Sequence, residues 1–148
     1  MTKEVMITIR GLQSGPDTEG EPIEMTTTGE YFYKNNKHYI LYEEVMDGET
    51  ATTKNRIKIA NGYMELTKSG LLSVTMVFEE DKKHVAHYTT PYGTLLMGIE
   101  AKKVDITESE NEILIAVDYA LELNEEHAAD CDIQITIRSK AAGKFKLI

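Results

Sequence analysis

A chain of 148 residues with 16 basic and 25 acidic side chains, formal net charge −9, suits a single domain. It lacks the cationic surplus needed to neutralise nucleic-acid phosphates or to adhere to an anionic membrane. Its one cysteine, Cys131, forms no intrachain disulfide, which fits a reducing compartment; no apolar run approaches the ~20 residues of a membrane-spanning helix.

Short runs rich in Ile, Val, Thr and Tyr alternate with tight-turn signals, and no helix is expected between Glu4 and Lys140. The first strand is predicted over Glu4–Leu12, with Val5, Ile7 and Ile9 on one face. Met1–Arg10 also lacks the apolar core and cleavage site of a signal peptide, so the expected address is the cytoplasm. A polar loop with Gly15, Pro16, Asp17 and Gly20 follows. The second strand is predicted over Ile23–Lys34, and Asn35-Asn36 turns it into the third, Lys37–Met46. Asn and Gly tolerate the positive φ that two-residue hairpins need.

Asp47-Gly48 leads to a fourth strand, Thr50–Ala60, and Asn61-Gly62 to a fifth, Tyr63–Lys68. Ser69-Gly70 introduces the sixth, Leu71–Glu79. The turn Glu80-Asp81-Lys82-Lys83 introduces the seventh, His84–Thr90, and Pro91-Tyr92-Gly93 the eighth, Gly93–Thr107. That length predicts a bulge or bend near Gly98. The ninth strand, Glu112–Leu123, alternates most clearly. Ile113, Ile115, Val117, Tyr119, Leu121 and Leu123 share one face, and Glu112, Ala116, Asp118, Ala120 and Glu122 take the other. Asn124–Asp130 reads as a loop. The tenth strand is predicted over Cys131–Lys140, with Ile133, Ile135 and Ile137 inward, and 141–148 is either a tail or the end of that strand.

Ten strands in an open meander would leave long exposed edges. Closure into an antiparallel up-and-down barrel removes them; a two-sheet sandwich is the alternative. The expectation is therefore one all-β domain over residues 1–148.

Three stretches carry a family resemblance. They are Thr27-Thr28-Gly29-Glu30-Tyr31 with Tyr39-Ile40-Leu41-Tyr42-Glu43-Glu44, Lys68-Ser69-Gly70 with Phe78, and Tyr88-Thr89-Thr90-Pro91-Tyr92-Gly93 with Ile99. Together they resemble the YwiB-like family of small bacterial cytoplasmic proteins. The resemblance runs from about Val5 to Ser139 and implies a calycin-like β-barrel, related in shape to lipocalins and fatty-acid-binding proteins. It brings no activity and no catalytic residues. Lys68 stands where the resemblance leads one to expect Arg, which would weaken bidentate anion recognition at that position.

Phosphate-loop, dinucleotide and nucleophile-elbow motifs are missing. His84 and His87, three apart on a strand, face opposite sides of the sheet and cannot share a metal ion. His38 and His127 lie near turns. Asp105, Thr107 and Ser109 echo a calcium loop, but Glu110 and Ala116 stand where Gly and a bidentate Glu are required. No metal or cofactor is expected. Asp130 and Asp132 flank Cys131 and disfavour its thiolate, so a passive thiol is expected.

Of the adjacent Glu43 and Glu44 only one can point inward. An inward glutamate near Arg56 or Lys58 would make either a structural pair or a ligand anchor. Eight tyrosines beside three Phe and no Trp offer apolar bodies with polar tips, suited to a ligand cavity or to cross-strand packing. Methionines on six strands fill core gaps or line an adaptable cavity.

Three functions follow. The first is a module binding a small apolar or amphipathic molecule inside the barrel, lined by Tyr31, Tyr33, Tyr42, Glu44, Arg56, His87 and Tyr88. The second is a protein-interaction scaffold with a solid core and no ligand, its partner unspecified. The third, least supported, is an enzyme using one inward Glu with Arg or His. No catalytic residue is assigned, and neither nucleic acid nor membrane is an expected partner.

Overall fold

The computed structural model describes residues 1–14, 23–45, 52–70 and 73–140. Ten strands account for nearly all of them: β1 (Glu4–Ser14), β2 (Ile23–Lys34), β3 (Lys37–Val45), β4 (Thr52–Ala60), β5 (Tyr63–Gly70), β6 (Val74–Glu79), β7 (Lys82–Thr90), β8 (Gly93–Glu108), β9 (Glu112–Leu123) and β10 (Glu126–Ser139). They form one sheet in the order β6-β5-β4-β3-β2-β1-β10-β9-β8-β7. Every pairing along it is antiparallel. The β1–β10 ladder joins the two ends of the chain, from Val5↔Ser139 to Ser14↔Asp130. Among the described residues the two edges, β6 and β7, are joined by one backbone bridge just before β6, where Ser73 and Thr89 exchange N–H···O bonds of 3.0 and 2.9 Å. The result is the nearly closed up-and-down barrel that the turn rhythm predicts.

Local chemistry explains the hairpins. Asn35 and Asn36 have φ of 54° and 62°, the twist that matches two right-handed strands. Gly62 (φ 67°) and Asp81 (φ 62°) place one left-handed residue in each of two further turns. Period two then carries alternate residues into the centre. On β9, Ile113, Ile115, Val117 and Tyr119 are all buried, and on β10 so are Ile135 and Ile137.

Several boundaries move. Asn124–Asp130 is not a loop: only Asn124-Glu125 turns, with φ of 50° and 73°, and β10 begins at Glu126. Tertiary pairing with β9 overrides the weak strand propensity of Glu126-His127-Ala128-Ala129, with a register shift between His127 and Ala129. The irregularity expected near Gly98 lies between Ala101 and Lys103 instead. Gly98 serves close packing, since a Cβ there would press on the Lys83 and Glu122 side chains. Lys82 and Lys83 belong to β7, and Ser69 and Gly70 to β5. The expected Asp47-Gly48 turn, the Gly15–Gly20 loop and the segment 141–148 lie outside the described residues.

Cross-strand registers stack the inward side chains in rows. Tyr33, His38, Ile59, Met64 and Phe78 form the lowest row, near the Asn35-Asn36 and Asn61-Gly62 turns. Tyr31, Ile40, Ile57, Leu66 and Met76 form the next. Tyr42, Asn55, Lys68 and Val74 lie above them, and Glu44, Thr53 and Gly70 above those. Phe78 meets Tyr119 edge to face at 5.0 Å, a geometry that adds roughly 0.5–1.5 kcal/mol to the area burial. Ile7, Ile40, Ile57, Ile99, Ile113 and Ile137 are 0–1% exposed, each stabilising by about 1.5–3 kcal/mol. The lower barrel is thus filled with hydrocarbon, and the upper rows turn polar. Among the described residues, no helix is long and apolar enough to cross a membrane.

Candidate functional site

The polar end of the barrel is built by three neighbouring strands. On β4 the inward set is Thr53, Asn55, Ile57 and Ile59, and Thr53 and Asn55 are 1% and 2% exposed. Glu44 on β3 stands opposite Thr53, and Lys68 on β5 stands opposite Asn55. Lys68 Nζ donates to Glu44 Oε1 at 2.6 Å and to Asn55 Oδ1 at 3.0 Å, and Asn55 Nδ2 donates to the same Glu44 oxygen at 2.8 Å. Asn55 Nδ2 also reaches the Thr53 carbonyl at 3.3 Å. Burial pushes the Glu44 carboxyl up, but the Lys68 hydrogen bond and charge, with the Asn55 bond, outweigh it and hold the group below its ordinary range.

Tyr42 on β3 stands opposite Asn55, and Tyr88 packs against the core from β7. Both phenols are pushed up, first by burial and then by the Glu44 charge, so they stay protonated and can donate at neutral pH. Thr53 Oγ1 is fully buried and has no hydrogen-bond partner among the described residues. A buried hydroxyl left so costs about 1–3 kcal/mol.

A second polar group closes the lower end. Tyr31 Oη lies 2.6 Å from His38 Nδ1, and His38 Nε2 lies 3.0 Å from Glu108 Oε1. The carboxylate can only accept, so Nε2–H donates to Glu108, and the tyrosine hydroxyl, able to donate or accept, bonds to Nδ1. Tyr33 packs edge-on against the imidazole at 5.0 Å. Burial, then Glu108 and Tyr33, raise the Tyr31 phenol. With His38 only 9% exposed and both nitrogens engaged, this group ties β2, β3 and β8 together.

A groove of about 840 Å³ lies on the outer face. It opens where β3 leaves β2. Their pairing ends at Glu30↔Leu41, while β2 continues on β1 and β3 on β4. Gly29 marks the fork, where a methyl group would run into the Leu41 carbonyl and the Ile7 side chain. The groove is lined by Glu4, Glu30 and Glu43 against Lys54, Arg56 and Lys140, among threonines and Ser69. Tyr42 and Asn55 belong to both the groove and the inner cluster.

The seven residues expected to line one cavity therefore separate. Tyr42, Glu44 and Tyr88 stand on the inward parity of β3 and β7 towards the upper end, and Tyr31 and Tyr33 meet His38 at the lower. Arg56 and His87 point outward; Arg56 pairs with Glu65 at 3.2 Å. The expected pairing of an inward glutamate with Arg56 or Lys58 is corrected. Those two share parity with the outer face of β4, and Glu44 takes Lys68 instead. Thr53, Asn55, His38 and Glu108 were not singled out as site residues; the parity of β4, which puts Asn55 with Ile57 and Ile59, was the available signal. His84 lies 3.1 Å from Glu79, and His87 is exposed on the other face. Cys131 is pushed up chiefly by burial and also by Asp130, against a lowering contact from Tyr119.

The family model described as Domain of unknown function (DUF1934) matches residues 7–135. The "Uncharacterized beta-barrel protein YwiB" of Bacillus subtilis (strain 168) is 30% identical over 131 residues, covering 86% of this chain and 90% of that protein. The crystal structure of the ywiB protein from Bacillus subtilis superposes with a TM-score of 0.82 at 23% identity, over 93% of this chain and 92% of that one. The structural likeness is one of fold.

Proposed function

Because this chain belongs to the family described as Domain of unknown function (DUF1934), we propose its role from its own residues: a binding module that holds a small amphipathic molecule at the upper mouth of the barrel. The observation that carries this reading is the inward Glu44–Lys68–Asn55 cluster, with Thr53 Oγ1 buried and unpartnered among the described residues. Placing an ion pair inside a barrel costs desolvation that hydrocarbon of similar volume avoids. A pair kept there beside an uncommitted hydroxyl has the make-up of a binding site: a few convergent polar groups on a mostly apolar wall. Tyr88 and the partly exposed Leu95, its cross-strand neighbour, supply apolar surface at the rim. The filled rows below limit the ligand to the mouth.

The test uses protein purified from its own host. Mild extraction is expected to release a bound small molecule, and adding that molecule back is expected to raise Tm; at a hundredfold excess over Kd the gain is about 2.7 kcal/mol. The double variant Glu44→Gln with Lys68→Met, which leaves no lone charge, is expected to fold and to lose that gain. If nothing is released and a broad panel of small amphipathic molecules leaves Tm unchanged, the reading is wrong.

One observation favours a second reading. The large groove lies outside the barrel, as a scaffold with a solid core would have it. A protein captured by the wild type and lost on Lys54→Glu with Arg56→Glu would support that role.

A further inference from the structure

The upper cluster also limits the chemistry of what it holds. Glu44 and Lys68 cancel, so the cluster formed by the described residues carries no net charge. Glu44 Oε1 is committed twice, to Lys68 and to Asn55, while Oε2 accepts no bond among the described residues. Lys68 uses its ammonium on Glu44 Oε1 and Asn55 Oδ1, and a third N–H remains. Thr53 Oγ1, buried at 1% exposure, can both donate and accept. Tyr42 stands opposite Asn55 on the neighbouring strand, and Tyr88 packs inward from β7. Acceptors and donors thus alternate over a short span, with aromatic faces alongside. The adjoining groove shares Tyr42 and Asn55 and is balanced too, with three carboxylates against three cations in a chain of net charge −9.

An anionic head placed here would meet Glu44 as a like charge, and a cationic head would meet Lys68. In a partly buried site such a mismatch is screened little. Either head would also leave half of the hydrogen-bonding groups facing the wrong partner, which costs more than the bonds it makes. A neutral head with neighbouring hydroxyls suits both halves, because each hydroxyl donates to an acceptor and accepts from a donor.

We infer that the ligand of the Glu44–Asn55–Lys68 cluster is an uncharged polyhydroxylated molecule, a sugar or polyol head on a short apolar tail, with Thr53 Oγ1 completing its hydrogen bonding. This rests on the upper-mouth reading above and specifies its chemistry. The carboxylate Oε2, the Thr53 hydroxyl and the free Lys68 N–H hold the hydroxyls. The Tyr88 ring and Leu95 cover the apolar part.

The experiment titrates the full chain with three monomeric probes of matched tail: octyl β-glucoside, octanoate and octylammonium. Calorimetry gives affinity, and amide shifts in a ¹⁵N spectrum give location. The glucoside is expected to saturate with shifts at Thr53, Asn55 and Lys68, and to bind at least about tenfold more tightly than either ion, about 1.4 kcal/mol. Thr53→Val conserves shape and removes only an unpartnered hydroxyl, so it is expected to keep Tm at or above wild type while weakening the glucoside about tenfold. If octanoate or octylammonium binds at those amides as tightly as the glucoside, the neutral-head assignment falls and the binding-module reading stands. Glucoside shifts that avoid those amides, or an unchanged affinity in Thr53→Val, also overturn the assignment. If none of the probes binds and nothing co-purifies with the protein, both fall together.

Discussion

Glu44 is where residue chemistry can be separated from packing. Its carboxyl ionises below the ordinary range in the folded chain, because Lys68 and Asn55 outweigh the effect of burial. The unfolded chain has the ordinary value. The folded state therefore binds this proton more weakly, and the resulting stabilisation is fully present above the unfolded pKa. It is lost as pH falls through the unfolded value towards the depressed folded one. Glu44→Gln is accordingly expected to lower stability by about 1–3 kcal/mol at neutral pH, with the gap to wild type narrowing through the acid range in urea titrations. A gap that stays constant with pH would mean that shape, not charge, sets the cost. That Glu44 was a candidate was legible from the Glu43-Glu44 doublet, because one of two adjacent strand residues must face in. Its partner is set by the parity of β4, which the Glu43-Glu44 doublet does not carry. Arg56 and Lys58 alternate outward with Ile57 and Ile59, and only Lys68, directly opposite Asn55, can reach the interior. His38 and Glu108 come together from β3 and β8 across the barrel, a meeting that no local pattern announces.

At the scale of elements, period two and turn chemistry carried most of the information. β2 and β9 match their predicted spans, and Asn35-Asn36 turns as its residue types require. The β9–β10 hairpin was obscured because its turn is Asn124-Glu125, not Asn-Gly, and because the strand beyond it opens with helix-favouring residues. Glu125 nonetheless sits at φ 73°, a left-handed conformation that costs a residue with a Cβ roughly 1–2 kcal/mol. Glycine removes that cost but loses more chain entropy on folding. Glu125→Gly is expected to stabilise by about 0.5–1 kcal/mol, a rise in Tm of about 1–4 °C in thermal scans. A fall in Tm would show that the Glu125 side chain contributes more than its backbone strain costs; its charge does act on Lys83.

At the scale of the whole molecule, barrel closure could be argued from the edge problem, but the place of the weakest joint could not. Consecutive hairpins look alike in sequence, and the closing ladder, β1 on β10, spans the entire chain. The joint lies between β6 and β7, sequence neighbours whose one backbone bridge among the described residues is Ser73–Thr89. The Asp81 amide bonds to the Ala101 carbonyl of β8, so the turn itself leans away from a regular hairpin. Glu79 holds Lys82 at 3.2 Å and His84 at 3.1 Å across the lower seam, a partly exposed network of the kind worth at most about 1 kcal/mol. Local openings should therefore start here. In native-state hydrogen exchange, the alternate amides of β6 and β7 that face the seam are expected to exchange through low-energy local openings. Amides of the β1–β10 and β9–β10 ladders should exchange only through global unfolding. The Ser73 and Thr89 amides, bonded to each other's carbonyls, should be protected relative to their seam-facing neighbours. Protection along the seam equal to that of the β1–β10 ladder would mean that β6 and β7 pair fully in solution and that the barrel has no preferred point of opening.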